Sequence, residues 1–159
     1  MGQEIGLDTF RTFSNLPNLG GRPAGAASEG TVARGEVDGR TMFGVNSGSD
    51  AYTSFDRDRA DALREVMLRK YPLQMNLKNI GGKPNDALYH AEATSLLRLA
   101  KRFGGSLKGK KITIATDRRL CPSCDGLLPK IVYELGNPEV TISDPFGSNK
   151  TTSGGQWSK

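Results

Sequence analysis

The alternation of apolar and polar residues predicts that the ordered part of the chain begins with a β-hairpin. Val32–Val37 and Arg40–Val45 are short extended runs, and Asp38-Gly39 between them is a favoured two-residue turn. Residues 1 to about 30 are weakly patterned and Gly-rich, which is typical of a linker. We therefore expect a junction over residues 1–30 and a single folded domain over residues 31–159.

Helical and extended patterns alternate after the hairpin. Leu63, Val66 and Met67 lie on one face at helical spacing, opposite a charged face. The predicted elements are, in order, a loop over Gly44–Ser54, a helix over Asp56–Lys70, a loop over Asn76–Asn85, a helix over Asp86–Phe103, a strand over Lys111–Thr116, a helix over Pro122–Leu135 and a strand over Val140–Ile142. Residues 144–159 are polar and Gly/Ser-rich and carry no predicted element. This order predicts an α/β fold with a mixed β-sheet, an N-terminal hairpin and helices on the faces of the sheet.

Composition limits the classes of protein that fit. The chain has 159 residues, of which 36% are hydrophobic and 25% charged, as expected for one globular domain. It has no apolar run of about 18 residues, so we expect no membrane span. No secretory signal pattern is visible. The net charge of +5 suits a polyanionic partner such as nucleic acid, although an ordinary basic protein has the same charge.

The chemistry-bearing residues are few and fall in two short strings. The single histidine is His90, with Glu92 two residues later, and the only two cysteines are Cys121 and Cys124. One imidazole, two thiols and a nearby carboxylate are the ligand set and acid/base residue of a zinc nucleobase deaminase. The chain has no other nitrogen–sulfur ligands to offer a metal.

Local geometry decides whether these residues can converge. Pro122 fits the first position of a helix, which puts Cys121 at the cap and Cys124 about one turn later. In a regular helix His90 and Glu92 would point roughly 200° apart. They converge only if His90 stands at the irregular start of the helix, so we expect that helix to begin near Tyr89.

Three protein ligands on Zn²⁺ leave a fourth position open for water, which is a catalytic arrangement. Glu92 would take the proton of that water and pass it to the base ring and then to the leaving amine. The expected reaction is hydrolytic loss of ammonia from C4 of cytosine or C6 of adenine.

Other interpretations of the same residues remain open at this point. A Cys-x-x-Cys pair that opens a helix is also typical of thiol–disulfide oxidoreductases. A closed structural zinc site would need a carboxylate as its fourth ligand. Glu92 is also a possible salt-bridge partner of Arg98 or Lys101.

Candidate substrate contacts lie around these motifs. Arg118 and Arg119 precede Cys121 and are candidates for phosphate contacts, whereas Lys108–Lys111 is typical of a solvated turn. Tyr89, Phe43 and Tyr52 could stack on a flipped-out base, or belong to the core.

These residues together resemble the cytidine-deaminase-like superfamily. Within it the chain is most similar to bacterial polymorphic-toxin deaminase domains, in particular the toxins that deaminate cytosine in single-stranded DNA. The likeness covers about residues 31 to 145. The strings that carry it are Tyr89-His90-Ala91-Glu92-Ala93-Thr94-Ser95-Leu96-Leu97, Cys121-Pro122-Ser123-Cys124-Asp125-Gly126-Leu127-Leu128-Pro129 and Glu134-Leu135-Gly136-Asn137-Pro138.

The resemblance implies a cytidine deaminase fold, zinc held by His90, Cys121 and Cys124, and proton transfer by Glu92. It implies a domain joined to a larger toxin, delivered into the cytoplasm of a rival bacterial cell and blocked by a cognate immunity protein. Double-stranded DNA, RNA, free nucleosides and adenine remain alternative substrates.

The chain departs from the superfamily pattern at one point. Leu120 precedes the first cysteine, where proline is usual, and Pro122 lies between the cysteines. We therefore expect Asp117–Leu120 to contact the neighbouring nucleotide. Asn46, after the second strand, is a candidate for a sugar contact.

Overall fold

The computed structural model describes residues 7, 10, 16, 31–73, 75, 86–118, 122–147 and 149–158, with the side chains of 86–87 and 122–125 excluded. The elements follow in the order β1 (Val32–Val37), β2 (Arg40–Val45), α1 (Ser54–Lys70), a 3₁₀ turn (Asp86–Tyr89), α2 (Ala91–Arg102), β3 (Lys111–Thr116), α3 (Pro122–Glu134), β4 (Glu139–Ser143), β5 (Asn149–Ser153) and β6 (Gln156–Trp157). This confirms an α/β architecture.

The six strands form one mixed sheet in the order β2-β1-β3-β4-β5-β6. β1 pairs antiparallel with both β2 and β3, whereas β3 and β4 run parallel. β5 returns antiparallel to β4, and β6 pairs with β5. The predicted mixed sheet with an N-terminal hairpin is therefore confirmed.

The hairpin turn has the backbone that its sequence predicts. Asp38 and Gly39 both have positive φ angles, 51° and 75°. That pair of angles is typical of a type I′ turn, whose twist matches the right-handed twist of the flanking strands. The turn fixes the register in which Val37 faces Arg40.

The core lies between the sheet and the helices. Ile112 and Ile114 of β3 and Val140 and Ile142 of β4 alternate with more exposed residues and are buried with Leu96, Leu99, Leu128 and Ile131 from α2 and α3. α2 packs on β1 and β2, and α1 packs on α2. Burial of one apolar face per element is what sets the layer order.

Helix starts differ slightly from prediction. α1 begins at Ser54 rather than Asp56 because Thr53 and Asp56 form a reciprocal capping box. The long periodic run divides into the 3₁₀ turn and α2, which begins at Ala91. The shortened start near Tyr89 is therefore right to within two residues. The predicted loop over Asn76–Asn85 lies outside the described residues.

The C-terminal segment, for which no element was predicted, contains β5 and β6. Their residues are mostly Thr, Ser, Asn, Lys and Gly, a composition that gives no clear alternation. β5 is ordered by pairing with β4, and β6 by pairing with β5. Thr152 of β5 is buried, and its hydroxyl accepts a hydrogen bond from the Val140 N–H. No helix in the described part of the chain is long and apolar enough to cross a membrane.

Candidate functional site

His90 stands at the N-cap of α2, directly before the first regular turn. Its backbone is extended, with φ −88° and ψ 168°. Glu92 lies in the first turn of the same helix and is only 3% exposed. The expectation that His90 occupies the irregular helix start is confirmed, so the side chains of His90 and Glu92 are not bound by the angular spacing of a regular helix.

The loop after β2 holds this helix start in place. The Asn46 Oδ1 accepts a hydrogen bond of 2.9 Å from the Ala91 N–H, one of the N–H groups that the helix leaves without an internal partner. The Ser47 N–H donates to the Tyr89 carbonyl at 2.9 Å. Asn46, predicted as a sugar contact, thus has a direct role in fixing the residue beside His90.

Side-chain hydroxyls tie the first turn of α2 to β2. The Thr94 hydroxyl lies 2.9 Å from the Val45 carbonyl and 2.8 Å from the His90 carbonyl, and the Ser95 hydroxyl donates to the Glu92 carbonyl at 2.9 Å. All of these groups are at or near the core, where hydrogen bonds define position strongly. The carbonyls of both His90 and Glu92 are therefore held by hydroxyls.

Gly44 allows β2 to approach this turn very closely. A Cβ built on Gly44 would lie 2.1 Å from the Ala91 carbonyl oxygen and 2.5 Å from the Ser95 nitrogen. Both obstacles are backbone atoms, which cannot move aside cheaply. The glycine is therefore required by the contact between strand and helix rather than by the turn that follows.

The two cations proposed as partners of Glu92 are engaged with other groups. Arg98 donates to both carboxylate oxygens of Asp56 and to the carbonyls of Phe43 and Ala51. Lys101 lies with its Nζ 4.9 Å from the centre of the Phe55 ring. These contacts give Arg98 a structural role between α1, α2 and β2.

The structure describes only part of the segment that contains the two cysteines. Cys121 lies outside the described residues, and Cys124 lies in α3 with its side chain outside the described set. α3 begins at Pro122, as predicted, and packs against the 3₁₀ turn that leads into His90. Among the described residues no three His, Cys, Asp or Glu side chains form a metal-binding group, and the predicted set draws two of its three ligands from outside them.

Two tyrosines and an arginine lie beside the helix start. The Arg57 guanidinium lies 5.4 Å from the Tyr52 ring centre and 6.0 Å from that of Tyr89, and the Tyr89 hydroxyl donates to Asp61 at 2.6 Å. Burial raises the pKa of Tyr52 to about 12, against the opposing effect of the Arg57 charge. Burial and the hydrogen bond to Asp61 also raise the pKa of Tyr89, so both phenols are neutral at physiological pH.

The third predicted stacking residue is covered. The Phe43 ring stacks on the Phe10 ring with centroids 4.4 Å apart and an angle of 9° between the planes. Phe10 belongs to the segment predicted as a junction, and it occupies one face of Phe43. A packing role is therefore the better interpretation of Phe43.

The residues after β3 split into anchored and exposed positions. Asp117 is 7% exposed, and its Oδ1 accepts a hydrogen bond of 2.9 Å from the Val32 N–H, which joins the end of β3 to the start of β1. Arg118 is partly exposed, and its carbonyl accepts from the Thr116 hydroxyl. The predicted contacts at Arg119 and Leu120 lie outside the described residues.

Sequence reasoning did not single out Arg57, Asp61, Thr94 or Ser95. Arg57 and Asp61 fall on the charged face of an amphipathic helix, where most such residues are merely solvated. Thr94 and Ser95 occur within the quoted deaminase-like string but carry no chemical signature of their own. Packing of α1 beside the helix start brings Asp61 to Tyr89, and packing of β2 gives the Thr94 hydroxyl its contact with the Val45 carbonyl.

Comparison with known proteins adds no family assignment. No protein-family model matches the chain, and a search of curated proteins gives no significant match. A functional assignment therefore depends on the residues themselves and on the position of His90 and Glu92 at the start of α2.

Proposed function

We propose that this chain is a zinc-dependent deaminase that converts cytosine to uracil in single-stranded DNA, within the cytidine deaminase fold. The observation that carries the proposal is the placement of His90 at an extended N-cap with the buried Glu92 in the next turn. α3, which begins immediately after Cys121, packs against the element that delivers His90.

The donor set is chemically suited to zinc. An imidazole and two thiolates are preferred zinc ligands, and three of them leave one position for a solvent molecule. His90, Cys121 and Cys124 would hold the ion. Because the backbone at His90 is extended, its side chain does not follow the angular spacing of the helix. The start of α3 favours thiolates because a helix N-terminus lowers thiol pKa. When bound, zinc supplies a Lewis acid that lowers the pKa of water.

Glu92 performs the proton chemistry in this proposal. A buried carboxylate in the first turn of α2 would carry the two protons of the attacking water in turn, one to the ring nitrogen and the other to the departing amine. Asn46, Thr94 and Ser95 keep that carboxylate in place by fixing the backbone around it. Positioning of this kind contributes by reducing the freedom of the reacting groups.

The substrate class follows from charge and from aromatic residues near the helix start. A net charge of +5 favours a polyanion, and the Arg57 guanidinium lies near the rings of Tyr52 and of Tyr89, the residue before His90. A neutral aromatic ring beside a cation suits an unstacked base and its phosphate. Arg118, Arg119, Leu120 and Asp117 remain candidates for contacts to the adjoining nucleotide. In this proposal the domain acts as a delivered interbacterial toxin, inhibited by a cognate immunity protein.

The decisive experiment measures product and metal together. The purified chain is incubated with matched single-stranded DNA, duplex DNA, RNA and nucleosides, and uracil and inosine are quantified. We expect uracil from single-stranded DNA and about one zinc per chain. Glu92→Gln should keep the zinc and lose at least about 100-fold in rate, whereas Glu65→Gln, on an exposed position of α1, should match the wild type.

Three results would contradict the proposal. Absence of uracil and inosine from every substrate would remove deamination. Full activity of Glu92→Gln would remove the proton-transfer role. A chain without zinc that reduces disulfides would favour the oxidoreductase interpretation of Cys121 and Cys124. Uracil from duplex DNA or RNA alone would change the substrate and keep the chemistry.

A further inference from the structure

A cleft separates the N-terminal half of α1 from the C-terminal half of α2. Its volume is about 470 Å³, and Met42, Phe55, Arg59, Lys101 and Arg102 line it together with the Asp56–Arg98 pair. None of these residues is among the substrate contacts predicted from the sequence, and none belongs to the proposed catalytic site. The size is sufficient for part of a flexible ligand rather than for a single ion.

The charge of the cleft is strongly positive. Arg98 and Asp56 neutralise each other through two hydrogen bonds, which leaves three cations, Arg59, Lys101 and Arg102. In the described part of the chain none of these three forms an ion pair with a carboxylate. Three like charges around one cleft repel one another, so a bound polyanion would stabilise them.

An exposed aromatic ring stands at the same place. Phe55 is 66% exposed, and the Lys101 ammonium lies 4.9 Å from its ring centre. An aromatic ring among cations is the combination used to bind single strands, in which bases stack and phosphates contact Lys or Arg. A purely acidic protein partner would use the cations and would gain little from the ring.

The cleft lies further along the same pair of helices as the proposed catalytic site. α1 and α2 run antiparallel, since Asp61 contacts Tyr89 at one end and Asp56 contacts Arg98 at the other. Lys101 is eleven residues from His90 along α2, a distance of about 16 Å at 1.5 Å per residue. A few nucleotides of an unstacked single strand cover that distance.

We propose that this cleft binds the flanking segment of a single-stranded polynucleotide, a few nucleotides from the reacting base. Phe55 stacks on a base, and Arg59, Lys101 and Arg102 contact phosphates. The assignment rests on the proposed function for the position of the strand, but binding at the cleft is measurable without any deamination.

The binding test uses the whole chain and a dodecameric oligothymidylate, which contains no cytosine. Lys101→Gln with Arg102→Gln is compared with Lys108→Gln and Lys111→Gln, two exposed lysines whose loss changes the net charge equally. We expect the cleft variant to weaken binding and to reduce the slope of log affinity against log salt by about 1.4, for two lost phosphate contacts. The control variant should reduce the slope much less.

Phe55 provides a second, independent probe. Phe55→Ala should weaken binding about fivefold or more, and Phe55→Trp should restore it, because stacking depends on the ring. Phe55 is mostly exposed, so its truncation leaves the core unchanged. Equal binding by wild type and both cleft variants would overturn the proposal. So would competition by poly-glutamate at matched charge, which would indicate a site for acidic protein.

A catalytic comparison separates this inference from the proposed function. A cytosine-bearing dinucleotide is too short to reach the cleft, whereas a dodecamer spans both places. The cleft variant should raise KM for the dodecamer and leave kcat/KM for the dinucleotide unchanged. Absence of uracil from both would refute the deaminase while the oligothymidylate result still decides the cleft. Equal effects on both substrates would refute the cleft.

Discussion

At the scale of single residues, the start of α2 depends on a small number of exact contacts. Asn46 satisfies the Ala91 N–H, Gly44 leaves room for the Ala91 carbonyl, and Thr94 links two carbonyls. Asn46 supplies the acceptor that the helix start lacks, Gly44 permits the close approach of β2, and Thr94 ties the first turn to Val45. The candidate catalytic residues are therefore positioned by neighbours that carry out no chemistry themselves.

Asn46→Ala should lower the free energy of unfolding by about 1 kcal/mol, because the Ala91 N–H loses its acceptor at the helix start. Asn46→Asp keeps an acceptor oxygen and adds a negative charge at the helix N-terminus, so it should retain most of the stability. Urea unfolding at neutral pH measures both. An alanine variant as stable as the wild type would show that the Asn46 hydrogen bond contributes nothing to stability.

At the scale of elements, the Asp56–Arg98 pair joins α1, α2, β2 and the loop between β2 and α1. Asp56 caps α1 through the Thr53 N–H and accepts two hydrogen bonds from Arg98, which also donates to Phe43 and Ala51. Burial alone would raise the pKa of Asp56, but the hydrogen bonds from Arg98 and Thr53 and the Arg98 charge outweigh it and hold that pKa below its ordinary value.

The lowered pKa gives stability a defined pH dependence. The unfolded chain has an Asp pKa of about 3.9. The stabilisation from Asp56 is therefore fully present above that pH and is lost as the pH falls through the lower pKa of the folded state. Asp56→Asn should destabilise the protein by about 3 kcal/mol at pH 7 and flatten its acid dependence.

Chemical unfolding between neutral and acid pH measures this effect. Asp58→Asn is the matched control, because Asp58 is exposed on the same helix. It should change neither the stability at pH 7 nor the shape of the acid curve appreciably. If Asp56→Asn loses stability with falling pH in the same way as the wild type, other carboxylates are responsible for that loss.

At the scale of the whole molecule, the sheet is completed by its C-terminal strands. β5 covers the edge of β4, Thr152 is fully buried, and Trp157 packs against the core. An uncovered β4 would present unpaired backbone groups and part of the apolar core to solvent. Residues with little apolar character therefore contribute to the global fold through pairing.

A chain that ends at Phe146 should lose at least about 3 kcal/mol of stability, since it loses backbone pairs and buried surface together. Removal of Lys159 alone is the control and should have no effect on the unfolding midpoint. Thermal and urea unfolding measure both chains. A truncated chain with the unfolding midpoint of the wild type would mean that β5 and β6 do not contribute to the stability of the domain.

The amino-acid sequence by itself determined the parts of this protein that local physics fixes. The Asp38-Gly39 turn, the periodicity of α1 and α2, the apolar runs of β3 and β4, and Pro122 at the start of α3 each act over a few residues. The expectation that His90 begins a helix came instead from the zinc chemistry proposed for His90 and Glu92, and the extended backbone at His90 agrees with it.

Tertiary structure alone decided what depends on distant partners. β4 offers an edge to the polar strand β5, and β5 in turn pairs with β6. Arg98 pairs with Asp56 because α1 packs on α2, and Asn46 reaches Ala91 because Gly44 brings β2 against α2. The basic cleft is likewise created by two helices whose sequences each show only an ordinary charged face. Such features arise from packing between segments far apart in the chain, and no short pattern encodes them.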